Sequence, residues 1–493
     1  MTTVDPTVEL LDDAPARAAF LSSSRLTVLD HFRVPYELDP ELVGPVEQLC
    51  PWRGGSALLW KRDLDGPVVH TTLLGVDGVT PIPLFTRLLS DEMIEPVLHA
   101  HGGRWERAWR LMSPDGAPVA SIWQAEDGSV FLPFDPNEVV ESFWSERYLR
   151  TAAGQHMRTL RRGLMFGYYR VRPLLPRPVQ IWLRRRFARL QGRSAFPRWP
   201  IEPCLHDFFD LMFAILARIA HEPVPYIAPW PNGHTWALVL THDVEQAEGL
   251  AAVDPVVALE QAHDVRSSWN LVPRRYEVDP DVVSRLVDEG CEIGVHGIYH
   301  DGRDLRSWSR WQRRLPIAYE AAEGWNAVGF RSASLHRHHD WMRSLEFDYD
   351  SSSPDMDPFE PQNGGCCTWL PFFNGELVEL PLTLPQDHTL FVILDHLDET
   401  VWVAKAEFLR AHGGMAMIDT HPDYLIDERI FGAYARFLDR FADDPTAWHA
   451  LPREVSAWWR RRGASRLEHD GSTWQIVGPA ASEGRVVFAA GAR

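Results

Sequence analysis

Short apolar runs that break off in titratable residues constrain this chain more than any other feature. Trp236-Ala237-Leu238-Val239-Leu240 leads into Thr241-His242-Asp243-Val244-Glu245, and Cys291-Glu292-Ile293-Gly294-Val295 leads into His296-Gly297-Ile298-Tyr299-His300. Runs of this length and composition predict buried strands, and side chains just past the ends of parallel strands converge on one point. Two imidazoles four residues apart fall on one face of a helical turn, where both can reach one ion. A carboxylate with two histidines leaves a fourth zinc position open for water, which metal-assisted hydrolysis requires. Alone, each motif says little: with 21 histidines some i, i+4 pair is expected by chance, and acids after a strand often cap the next helix. Their order, each at a strand end, points to a metal site.

Three further segments follow in order: Gly329-Phe330-Arg331-Ser332-Ala333, Phe347-Asp348-Tyr349-Asp350-Ser351-Ser352, and Met415-Ala416-Met417-Ile418-Asp419-Thr420-His421-Pro422. From about Trp236 to Tyr424 the chain resembles the polysaccharide deacetylase superfamily, the NodB-homology or carbohydrate esterase family 4 proteins. The resemblance implies an α/β fold, a distorted (β/α) barrel, with an N-terminal α+β accessory region and a short C-terminal extension outside it. Thr241 to Glu245 stands where the family usually has Thr-Phe-Asp-Asp-Gly, and Val244 occupies the second Asp position. The family also has an Asp-x-Asp form, which maps the catalytic base to Asp243 and a metal ligand to Glu245. Alternation along an extended segment puts these two on one side. His296 and His300 complete the ligand set.

By the same resemblance, Arg331 braces the base through a charge-assisted hydrogen bond, although the family more often shows Arg-x-Pro. His421 donates a proton to the leaving amine, a role that suits an imidazole whose unperturbed pKa lies near the working pH. Asp350 in the fourth motif lines the site or orients a partner. The blander readings are a surface arginine at Arg331, a satisfied structural histidine at His421 and a cap at Asp350. Ser267 to Pro273 resembles the second barrel strand of the family. The implied cofactor is one divalent ion, zinc first. The implied reaction removes an acetyl group from an N-acetylated sugar or glycoconjugate precursor. The alternatives are hydrolysis of a non-sugar C–N bond and a barrel that binds glycan without turnover.

At 493 residues the chain accommodates two to three domains. We divide it into an N-terminal accessory region 1–146, a basic helical linker with a lead-in helix 147–235, the barrel 236–430, and a C-terminal helix and hairpin 431–493. Five cysteines without paired spacing fit a reducing compartment. The start lacks a secretory pattern and no run approaches 18 apolar residues, so a cytoplasmic location is expected, with small or lipid-linked sugars as substrates. A net charge of −19 argues against general nucleic-acid binding. Yet residues 147–200 carry fourteen Arg and no acid. There a helix starting at Pro178 groups Val179, Leu183, Phe187 and Leu190 with Trp182, while Arg184, Arg185 and Arg189 point elsewhere. Three partners are open for it: the acidic remainder of the chain, an anionic membrane surface reached peripherally, or phosphates of a substrate or partner.

Smaller expectations complete the reading. Val119–Trp123 and Val130–Leu132 read as a hairpin about Glu126-Asp127-Gly128, Phe208 to Ile219 as an apolar helix, and Phe431 to Trp459 as helical. Thr473–Val477 is expected to pair with Arg485–Phe488. His336, His338 and His339 fit a solvated, substrate-facing loop better than a second metal cluster. Cys366 and Cys367 read as buried thiols, and Pro385-Gln386-Asp387-His388 as a pocket loop with no assigned role.

Overall fold

The structure, a computed structural model, describes residues 26–38, 46–50, 56–152, 176–192 and 196–489. The runs that predict strands form the centre of a parallel sheet. Its order is Leu377–Glu379, Tyr349–Asp350, Gly329–Arg331, Glu292–His296, Ser267–Leu271, Trp236–Val244 and Met415–Thr420, every neighbouring pair parallel. Phe372–Asn374 adds an antiparallel edge to Leu377–Glu379. Trp236–Val244, Ser267–Leu271, Glu292–His296 and Met415–Thr420 are buried along their whole length. Burial on both faces explains why they read as near-continuous apolar runs rather than alternating ones. The sheet curls until its ends meet: Leu384 N donates to Met417 O at 2.9 Å, and Met417 N donates to Thr383 Oγ1 at 2.8 Å.

Helices cover the outside of the curl. Pro280–Asp288 begins with Asp279 accepting from Asp281 N and with proline in its first turn, so its start is set locally. Glu428–Phe441 is capped by Asp427 and buries Ile430, Tyr434, Phe437, Leu438 and Phe441, spaced to form one stripe. The helical expectation for Phe431 to Trp459 is corrected: the chain leaves the helix at Phe441, forms the strand Ala447–His449 against Trp236–Val244, and re-enters a helix at Pro452–Gly463. Asp443-Asp444-Pro445-Thr446 supplies the break, with Asp444 accepting from Thr446 N at 2.8 Å.

Before the barrel, eight strands among the described residues form a second, mostly antiparallel sheet. The expected hairpin is there: Pro118–Ala125 pairs antiparallel with Val130–Phe131, and Gly128 takes φ +92 in the turn. The expected C-terminal hairpin is not. Trp474–Val477 pairs with Arg466–His469, and Val486–Ala489 instead pairs with Val224–Ile227 ahead of the barrel. Short, half-buried strands carry little register information, so a nearer partner and a distant edge displace the pairing that proximity suggests.

The basic helix spans Arg177–Gln191 and follows an apolar helix-turn logic only in part. Arg184 and Arg185, expected to point away, donate to the carbonyls of Phe359 and Val392, and Arg185 pairs with Asp395 at 2.9 Å. Val179 and Trp182 are the exposed ones, at 39% and 54%. Ala188 packs with Phe359 and Ile393 instead. Guanidinium groups that reach carbonyls and a carboxylate outweigh the burial of an apolar stripe here. Arg158, Arg161, Arg162, Arg170 and Arg172 lie outside the described residues.

Candidate metal and acid–base site

Parallel register brings the motifs together. Asp243 sits opposite Asn270 across one strand pair, and His296 sits opposite Arg331 across another. Asp243 is fully buried, and its Oδ1 accepts from Asn270 Nδ2 at 2.8 Å and Arg331 Nη1 at 3.0 Å. Its Oδ2 has no hydrogen-bond partner and lies 3.3 Å from His296 Nδ1. Burial alone would raise the Asp243 pKa, but the Arg331 guanidinium, His296 and His421 outweigh it and bring it down to about 2. The result is a carboxylate anchored through one oxygen and open at the other.

Glu245 follows the strand, with its amide donating to Asp423 Oδ2 at 3.2 Å. Its Oε1 lies 2.7 Å from His300 Nε2, close but not aligned as a hydrogen bond, and 3.9 Å from His421 Nε2. Glu245, His296 and His300 each offer a ligand atom, all within 4.8 Å of one another. The histidines do not share a helical turn. His296 ends a strand, and the chain folds back through Gly297 at φ +58 and His300 at φ +51, leaving the ring centroids 5.0 Å apart. A Cβ at Gly297 would stand 3.1 Å from Ala333 N, so the turn needs glycine both for its φ and for its space.

Four buried atoms at this point, both nitrogens of His296, Nε2 of His300 and Oδ2 of Asp243, have no hydrogen-bond partner. Buried polar atoms are ordinarily paired, so the cluster has the donor capacity that a divalent ion would use. Burial lowers the His296 pKa to about 4, which keeps its imidazole neutral and able to ligate. One contact opposes binding: Arg275 Nη1 donates to His300 Nδ1 at 2.9 Å. An imidazole that accepts at Nδ1 carries its proton on Nε2, the atom facing Glu245. Arg275→Ala is therefore expected to tighten divalent-metal affinity several-fold in a competition titration with a chelator; unchanged or weaker affinity would show that the contact does not compete.

A second group, Asp243, Asp419 and His421, also meets the spacing for a metal. Arg331 already fills it. Its Nη1 stands 3.0 Å from Asp243 Oδ1 and 2.9 Å from Asp419 Oδ1, and it is fully buried. Arg331 is thus the resident cation and not a surface arginine.

His421 starts the helix Pro422–Leu425 at the end of its strand. Asp387 grips it twice, accepting from the backbone amide at 2.7 Å and lying 2.6 Å from Nδ1. Burial would depress the imidazole, but Asp387 and Asp419 raise its pKa well above the ordinary value. Asp387, Asp419, Asn270 and Gln386, which donates to Asp419 Oδ2 at 2.9 Å, were given no role by the sequence. The only signal for Asp387 is its place in a loop after an apolar strand. The Asp350 carboxylate accepts from Ser352 Oγ at 2.6 Å on a strand between Gly329–Arg331 and Leu377–Glu379, and burial raises its pKa to about 6. Among the described residues His336, His338 and His339 join no metal-ligating group, and Cys366 and Cys367 are free, buried thiols.

No protein-family model and no curated protein matches the chain. Solved structures do. A Pseudomonas aeruginosa PAO1 protein described as a probable polysaccharide deacetylase is 16% identical, covering 49% of this chain and 96% of its own, with a TM-score of 0.39. An allantoinase, also 16% identical, covers 47% of this chain and 92% of its own at a TM-score of 0.38. A carbohydrate esterase family 4 pseudoenzyme from Bacillus anthracis is 14% identical over 49% of this chain and 71% of its own, at a TM-score of 0.31. The solved structures to which this chain is similar thus include polysaccharide deacetylases and family 4 members, the group that its sequence motifs resemble.

Proposed function

We propose that the protein is a metal-dependent hydrolase that removes an acetyl group from an N-acetylated sugar or glycoconjugate precursor. The observation that carries this reading is the convergence of Glu245, His296 and His300 with orphaned buried nitrogens beside an ionised Asp243. These three residues would hold a divalent ion, zinc first, which when bound acidifies water and polarises a carbonyl. Asp243 accepts the proton of the attacking water at Oδ2, while Arg331 and Asn270 fix Oδ1. His421, kept protonated by Asp387, donates from Nε2 to the departing amine and makes it a good leaving group. The choice of an acetylated sugar rests on the resemblance of the motifs.

The paired carboxylate sets the pH range. Asp387→Asn removes the main group that raises His421, so the alkaline limb of kcat/KM is expected to move down by about one pH unit or more. A raised folded pKa stabilises below the unfolded value near 6.5 and is lost as pH rises through the folded value. The stability loss in Asp387→Asn should therefore be larger at pH 6 than at high pH. A profile that does not move would remove His421 from the acid role. Acetate release from a panel of N-acetylated sugars, with N-acylated non-sugar amides beside them, tests the reaction itself. Release from the non-sugar amides alone favours the wider C–N hydrolase.

The basic helix is assigned to the barrel surface, through Arg184 and Arg185. Co-sedimentation with anionic vesicles that falls as salt rises would instead support peripheral membrane contact.

A further inference from the structure

Two loops next to the candidate site make a lip whose chemistry the reaction leaves unused. One follows His296 and runs through Tyr299 and Arg306 to Trp308; the other follows Arg331 and runs through His336 to Trp341. They touch, since a Cβ at Gly302 would stand 3.5 Å from His336 Cε1. Large aromatic faces are open on this lip: Tyr299 is 38% and Trp308 39% exposed. They are also held in place. Trp308 packs against Trp341 with centroids 5.7 Å apart, Trp341 stacks on His338 at 4.3 Å, and Arg314 lies 4.6 Å over Tyr299.

The acids on the lip are engaged: Asp301 and Asp304 are taken by Arg314, and Asp340 lies 3.9 Å from Arg147. Arg306 is exposed and makes no ion pair or side-chain hydrogen bond among the described residues. Arg306 lies near His336, whose pKa burial and the nearby Arg337, Arg306 and His300 lower to about 4. Arg275 adds a second exposed guanidinium at His300. Held aromatic faces suit the C–H face of a pyranose, and a guanidinium without a partner suits phosphate or carboxylate.

We propose that this lip selects N-acylated sugars that carry an anionic group, with the sugar ring stacked on Trp308 and the phosphate or carboxylate received by Arg306. The proposal rests on the hydrolase reading for the identity of the acylated sugar, but its test does not need turnover. Calorimetric titration would compare N-acetylglucosamine, N-acetylglucosamine 1-phosphate, N-acetylmuramic acid and inorganic phosphate. It would use the wild-type protein and His296→Ala, the latter to remove any ion that could itself hold an anion. At least one anionic sugar is expected to bind about tenfold or more tighter than the neutral sugar in both proteins. Which one does so separates a phosphate from a carboxylate substrate. Arg306→Gln should erase the preference and Arg306→Lys restore part of it, whereas Trp308→Ala should weaken all the sugars about tenfold and leave the preference intact.

Equal binding of neutral and anionic sugars overturns the proposal, as does a preference that survives Arg306→Gln. A preference confined to wild type would place the anion on the ion, and inorganic phosphate binding as tightly as the sugar phosphate would mean an anion site without a sugar site; either result overturns it. No binding at millimolar ligand does the same. Anion preference without acetate release in wild type would keep this inference and remove the hydrolase reading.

Discussion

His296→Ala is expected to abolish metal binding and to reduce turnover to background, with the fold intact. The imidazole is fully buried, sits at the end of a central strand and is one of the three ligands proposed among the described residues. Two ligands do not hold an ion against water and a chelator as three do. Because neither ring nitrogen has a hydrogen-bond partner, truncation leaves no protein group newly unpaired. The stability cost should therefore stay near that of a small cavity, about 1–3 kcal/mol. Metal content by mass spectrometry and a thermal melt on the same sample check both halves. Full occupancy in the variant would refute the ligand assignment.

Asp243→Asn should behave in the opposite way, retaining metal while losing turnover by about 10²–10⁴-fold. The amide can keep an oxygen where Asn270 and Arg331 donate, but the group that replaces Oδ2 cannot accept a proton. Arg331 loses one of its two carboxylates and keeps Asp419 at 2.9 Å, so its charge is not left uncompensated. If Asp243→Asn loses metal while Glu245→Gln retains it, the roles of the two carboxylates are reversed.

The residues of this site were legible where their chemistry is written into local pattern. Asp243, Glu245, His296, Arg331 and His421 all stand at or next to the ends of buried strands, and parallel pairing then fixes their proximity. What escaped the sequence are partners that converge only in space. Asp387 lies 34 residues from His421 in the chain yet 2.6 Å from its Nδ1, and Asn270 lies 27 residues from Asp243. No periodicity links such pairs. The geometry of the second motif also differs from expectation, because two positive φ angles make a turn where i, i+4 spacing suggests helix. The orientation of Arg177–Gln191 was misread for a related reason: a stripe of apolar spacing cannot reveal that the barrel offers carbonyls to arginine.

The most direct test of the central claim is anomalous diffraction at the zinc edge from crystals of the full chain grown with the ion. The account predicts one strong peak about 2.0–2.3 Å from the Glu245 carboxylate and from one nitrogen each of His296 and His300. A peak among Asp243, Asp419 and His421, or no peak at the three residues, would contradict it.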